Sequence, residues 1–125
     1  MAGVTLDAGA LIALDRADRR VVAIVERARR AGVRITVPTS ALAQAIRRPE
    51  RQGRLARLIG HSNTDVVLLG RADATSVGQL LRASGTTDVV DAHVVICARR
   101  ARQAVVTAHR ADLQRLDPTL RVIDV

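Results

Sequence analysis

Short runs of Val, Ile, Leu and Thr alternate along the chain with stretches whose apolar residues recur every three or four positions. That alternation limits the possible folds more than any other feature. Val4 to Leu6 and residues 33–37, 65–69, 104–107 and 121–125 read as strands. Helices are expected at residues 10–14, at Arg19 to Ala31, through Ala41, Leu42, Ala45 and Ile46, at residues 51–59, 72–83 and 88–102, and around Leu113 and Leu116. The punctuation agrees: Gly32 ends one helix, Pro38 closes the second strand, Thr39 or Ser40 caps the next helix, and Pro49 stops it. Strand followed by helix, repeated, predicts an α/β fold. The sheet is open and parallel, flanked by helices on both faces and joined by right-handed crossovers. At 125 residues the chain has room for one domain, 1–125, with one core.

The interior of such a sheet must be aliphatic here, because Phe, Tyr and Trp are absent while 48% of residues are hydrophobic. The same absence removes the aromatic platforms on which single-stranded RNA is stacked. All 20 basic residues are Arg, against 12 acids, for a net charge of +8. Guanidinium forks suit a polyanionic partner, although a solvated basic surface accounts for the charge equally well. The single cysteine, Cys97, lies in an apolar helical run and reads as a core residue. No apolar run is long enough to cross a membrane and the N-terminus has no signal-like pattern, so a cytoplasmic protein is expected.

The chemistry is expected where strands end. In open α/β sheets, ligands bind beyond the carboxyl ends of the strands, where the strand order reverses. Asp7 follows the first strand, His109 and Asp112 follow the strand ending at Thr107, and Asp88 and Asp91 open the intervening helix. Each acid has a structural explanation, as a cap or as a negative group at a helix's positive end. Together they predict an anionic pocket in a basic protein. His93, two residues beyond Asp91, points to the other side of its helix and reads as a packing or surface residue, and His61 as a loop residue with no recognisable partner.

Four pieces of the sequence carry a family resemblance that spans nearly the whole chain: Leu6-Asp7 after the opening strand, Val-Pro-Thr-Ser-Ala-Leu-Ala at 37–43, Asp-Val-Val-Asp-Ala at 88–92, and Val-Val-Thr followed by Asp112-Leu113. In their order and spacing they resemble the PIN-domain ribonucleases, particularly the VapC-type toxins of bacterial toxin-antitoxin pairs. The resemblance implies a single PIN-like domain acting as a metal-dependent endoribonuclease. Asp7, Asp91 and Asp112 correspond to three members of a metal-binding quartet, with Asp88 assisting. Mg2+ or Mn2+ is the implied cofactor, since clustered carboxylates repel one another unless a hard cation neutralises them. It would polarise the scissile phosphate and activate a water, leaving a 5'-phosphate and a 3'-hydroxyl. Thr107 is either a phosphate holder or an ordinary strand-end residue.

Two residues depart from the pattern. Gln44 stands where the family usually carries a Glu; its amide oxygen can coordinate a cation but brings no charge and accepts no proton. His109 stands where relatives commonly have Asp or Asn, and reads as a ligand favouring Mn2+, a proton carrier or a polar loop residue. The family further implies RNA as substrate, transfer or ribosomal RNA suiting it best, a small cognate antitoxin whose tail lies in the acidic groove, and a homodimer. The apolar stripes at Leu42 to Ile46 and Val77 to Leu81 are available either to that dimer or to internal packing.

The alternative is a PIN-like RNA-binding or antitoxin-binding protein weakened catalytically by Gln44 and His109. A metal-free ribonuclease using paired histidines is a further option. A receiver-like phosphoacceptor fails for want of any Lys, and a P-loop enzyme for want of Gly-x-x-x-x-Gly-Lys.

Overall fold

A computed structural model describes residues 2–125. Five strands, β1 (Val4–Leu6), β2 (Ile35–Pro38), β3 (Thr64–Val67), β4 (Ala104–Thr107) and β5 (Val122–Asp124), form one sheet in the order β3-β2-β1-β4-β5. All neighbouring pairs are parallel, with Val4 opposite Ile35 on one side and Ala104 on the other. The order reverses between β1 and β4. Successive strands step outward in one direction from β1 to β3, then the chain returns across the sheet to β4 and steps the other way.

Right-handed crossovers then place the helices between β1 and β3 on one face and those after β3 on the other. The first layer holds α1 (Ala8–Asp15), α2 (Arg19–Ala31), α3 (Thr39–Ala45) and α4 (Gly53–Gly60), which pack among themselves. The second holds α5 (Arg71–Ser84), α6 (Val89–Ala101) and α7 (Arg110–Leu116), with α6 lying across β2, β1 and β4. The central strand β1 is buried throughout, as are Val105 and Val106 beside it. Such double coverage explains why these strands read as continuous apolar runs. The core is built from Val, Leu, Ile and Ala, without aromatic residues.

Several boundaries differ from the sequence expectation. The second strand begins at Ile35 and includes Pro38, whose missing N–H costs no ladder bond at the strand's last position. Pro38 itself is the N-cap of α3, which has no side-chain cap bond; neither Thr39 nor Ser40 caps it. Both hydroxyls are used elsewhere: Thr39 Oγ1 accepts from Leu69 N at 3.2 Å, and Ser40 Oγ pairs with His93. The third helix ends at Ala45, before Pro49, which instead opens a 3-10 turn (Pro49–Arg51) ahead of α4. Here Gln52 serves as the staple, its side chain accepting from Arg47 N and Arg48 N and donating to Ala45 O.

The stripes offered to a dimer are largely spent inside the molecule. Ala41, Ala45, Val77 and Leu80 are buried, and Leu42, Ile46 and Leu81 pack half-buried against the same core. Among the described residues no helix is long and apolar enough to cross a membrane.

Candidate active site

The N-termini of α1, α6 and α7 gather at the carboxyl edge of the sheet, near the switch point between β1 and β4. Each carries an acid for its own structural reason. Asp7, 3% exposed, is the N-cap of α1 and accepts from Ala10 N at 2.8 Å. Asp88 is the N-cap of α6 and accepts from Asp91 N at 2.9 Å. Asp91 and Asp112 lie in the first turns of α6 and α7. Thus local capping rules fix where the carboxylates sit along the chain, and the parallel sheet brings the helix starts together.

The electrostatics records how close they come. Burial pushes the Asp91 carboxyl up to about 6, and the charges of Asp88, Asp7 and Asp112 push in the same direction, with His109 opposing them. Asp7 is also raised, again chiefly by burial, against the lowering influence of Thr107, Ala10 N–H and His109. Thr107 is fully buried at the end of β4, and its hydroxyl oxygen accepts from His109 N at 2.8 Å. Its proton is therefore free to face Asp7. The His109 ring and the Asp7 carboxylate both border Gly9: a methyl group there would lie 3.5 Å from Asp7 Oδ1 and 3.9 Å from His109 Nε2.

Asp88, Asp91 and Asp112 open onto a cleft of about 380 Å³, completed by Gly85, Thr86, Thr87, Arg115 and Leu116. Gly85 makes this rim, since it ends α5 at φ +67°, a left-handed conformation that admits Gly at no steric cost. Arg115 is a residue that the sequence patterns above do not single out. It sits one helical turn after Asp112, is exposed, and makes no hydrogen bond or ion pair among the described residues. An Arg three residues beyond an acid on a short amphipathic helix is the available signal.

Gln44 does not join the carboxylates through any hydrogen bond. It is exposed on α3, one turn beyond Ser40, which contacts α6 through His93. His93 is entirely buried, so of its two expected roles packing is the one observed. Nε2 lies 3.0 Å from Asp73 Oδ2 and Nδ1 lies 3.0 Å from Ser40 Oγ. His61 caps the end of α4 and does have a partner, its Nδ1 accepting from Asn63 N at 3.2 Å. Cys97 is buried, as expected.

The acids suit a hard divalent cation. Four carboxylates whose mutual repulsion helps raise one of them to about 6 create a local negative potential that a cation relieves. No three of them bring ligand oxygens within 4.8 Å of one another; among the described residues only Asp73, His93 and Cys97 do so. At that spacing a divalent cation would take one or two of the carboxylates directly and reach the others through its waters.

A five-stranded parallel sheet with strand order β3-β2-β1-β4-β5, carrying acids on the helix starts at its switch point, defines a PIN-like α/β domain. Among solved structures the chain is similar to VapBC2 from Rickettsia felis, determined bound to a DNA fragment from their promoter. The TM-score is 0.67 and the identity 14%, over 98% of this chain and 98% of that one. At that identity the likeness is one of fold. No family model and no curated protein matches the sequence.

Proposed function

We propose that this chain is a metal-dependent endoribonuclease, the toxin of a toxin-antitoxin pair, hydrolysing RNA phosphodiester bonds in the cytoplasm. The observation that carries the reading is the convergence on Asp91 of the charges of Asp7, Asp88 and Asp112, which come from three separate helix starts. Asp7, Asp91 and Asp112 would between them hold Mg2+ or Mn2+, partly through its waters, and the ion would supply Lewis-acid polarisation of the phosphate and a more acidic water. Asp91, whose carboxyl is raised to about 6 by burial and by its acidic neighbours, is the group whose ionised form a bound cation would favour most. Asp88 supports its charge balance from the helix cap. His109, whose charge acts on both Asp7 and Asp91, would carry a proton to or from the leaving oxygen. Arg115 on the cleft wall supplies a guanidinium for a neighbouring phosphate, and the net charge of +8 draws the polyanion in.

The VapBC2 neighbour supports an antitoxin partner, and a basic segment of that partner suits the acidic cleft. Transfer or ribosomal RNA and a homodimer complete the proposal. A second reading, a PIN-like RNA-binding or antitoxin-binding protein with weakened catalysis, is favoured by one observation: Gln44 is neutral, exposed and unbonded to the acids.

Incubating the purified chain with Mn2+ and structured RNA separates the two. Cleavage leaving a 5'-phosphate and a 3'-hydroxyl, lost in Asp91→Asn, supports the enzyme; binding without cleavage supports the weakened module. Sequencing RNA ends after induced expression, against an Asp7→Ala control, identifies the target.

A further inference from the structure

We propose that Asp73, His93 and Cys97 form a second cation site, separate from the carboxylate cleft and selective for a thiophilic divalent ion such as Zn2+. A carboxylate oxygen, an imidazole nitrogen and a thiol sulfur from these residues all lie within 4.8 Å of one another, and all three residues are buried. His93 and Cys97 are one helical turn apart on α6, a spacing that points both at the same neighbour; Asp73 meets them from the first turn of α5. His93 Nε2 is 3.5 Å from Cys97 Sγ and 3.0 Å from Asp73 Oδ2. Tetrahedral zinc, with bonds of about 2.0 Å to nitrogen and oxygen and about 2.3 Å to sulfur, sets its ligands roughly 3.3 to 3.6 Å apart. Both spacings at His93 lie close to that range, and Asp73 and Cys97 come within 4.8 Å of each other.

The surroundings fit the same role. Ser40 Oγ stands 3.0 Å from His93 Nδ1, the orienting partner that a metal-bound imidazole requires on its other nitrogen. An ionised Asp73 can only accept, so in a neutral ring Nε2 is the donor to it and Nδ1 is left to accept from the Ser40 hydroxyl. On binding, the Nε2 lone pair goes to the cation, the ring proton relocates to Nδ1 and is donated to Ser40 Oγ, and the Cys97 thiol releases its proton to solvent. One proton leaves per ion. Arg100 donates to both Asp73 oxygens at 2.8 and 2.9 Å, is half-exposed, and also bears on the Cys97 thiol, so it is the group that has to shift when an ion enters. It keeps Asp73 Oδ1 while Oδ2 turns to the ion, and water fills the remaining position. The mixed sulfur, nitrogen and oxygen set selects Zn2+ over Mg2+, which prefers oxygen alone.

Co2+ is the probe, titrated into the metal-free full chain. Because Cys97 is the only cysteine, any thiolate-to-cobalt charge-transfer absorption belongs to it. One equivalent of Co2+ is expected to produce that band, Zn2+ to bleach it and excess Mg2+ to leave it. It should persist when Asp7→Asn and Asp91→Asn are combined, and vanish in Cys97→Ser. In the wild-type chain, where folding is not in question, Zn2+ should slow alkylation of Cys97 at least ~10-fold. No charge-transfer band at excess Co2+, a band that survives Cys97→Ser, or alkylation unaffected by Zn2+ would each overturn the site.

Discussion

The negative charge of Asp7, at the end of β1, bears directly on Asp91, in the first turn of α6, and helps hold that carboxyl at about 6. Two acids far apart in sequence thus belong to one electrostatic unit. The arrangement costs stability in the absence of a cation, because the fold favours the protonated form of Asp91. A folded pKa above the ordinary 3.8 means that this group's stabilisation is complete below about 3.8 and lost as pH rises through about 6. The metal-free protein is therefore expected to melt at a higher temperature at pH 5 than at pH 7.5. Asp91→Asn should flatten that slope and stabilise the neutral protein by about 1–2 kcal/mol, after discounting for partial exposure and screening. Thermal unfolding in EDTA measures both; an unchanged slope in the variant would remove Asp91 from the unit.

Mg2+ or Mn2+ should reverse the same cost. An ion that binds only the folded state, at a hundred times its dissociation constant, stabilises by about 2.7 kcal/mol, or roughly 10 °C for a chain of this size. The rise is expected to disappear with EDTA and to be absent in Asp7→Asn and in Asp91→Asn. A rise that persists in both variants would place the ion elsewhere.

Restoring a carboxylate on α3 should strengthen the site. Gln44 is exposed, so Gln44→Glu meets no burial penalty there. Cleavage at limiting Mn2+ is expected to increase roughly ten-fold through tighter metal binding and an added proton acceptor. Unchanged Mn2+ affinity and unchanged cleavage would rule out a role for position 44.

Asp73 is held well below the usual carboxylate range, first by Arg100 and then by His93, against the opposing effect of burial. Because its folded pKa is lowered, this stabilisation is present above about 3.8 and lost as pH falls below that value. In metal-free protein Asp73→Asn should cost about 2–3 kcal/mol at pH 7, the half-exposed Arg100 limiting the effect, and about 1 kcal/mol less at pH 3, where the unfolded carboxyl is mostly protonated but the folded one is still ionised. Urea midpoints at the two pH values test it, and an equal loss at both would contradict the ionic origin.

Arg115→Ala should weaken RNA binding and lower the salt dependence by about one phosphate contact. Its guanidinium has no partner among the described residues to lose, so the urea midpoint should hold. Binding isotherms at several salt concentrations separate this outcome from an unaltered slope, which would take Arg115 off the phosphate path.

Local rules carried much of the description. The alternation of apolar runs and helical periods determines the class of fold, and the capping preference of Asp7 and Asp88 determines which helices begin with an acid. Boundaries around Pro38 and Pro49 were less legible, since proline is accepted both at a strand's last position and at the start of a turn. His93 illustrates the opposite limit. Its spacing from Asp91 gives the side of α6 it occupies, but not that Asp73, Ser40 and Cys97 wait there. Sequence by itself settled the elements, the aliphatic core and the inventory of acids, because those depend on neighbours within a few residues. Only the tertiary structure decided that Asp7, Asp91 and Asp112 share a field while Asp73 pairs with Arg100 elsewhere, because burial and charge act through space and follow the strand order.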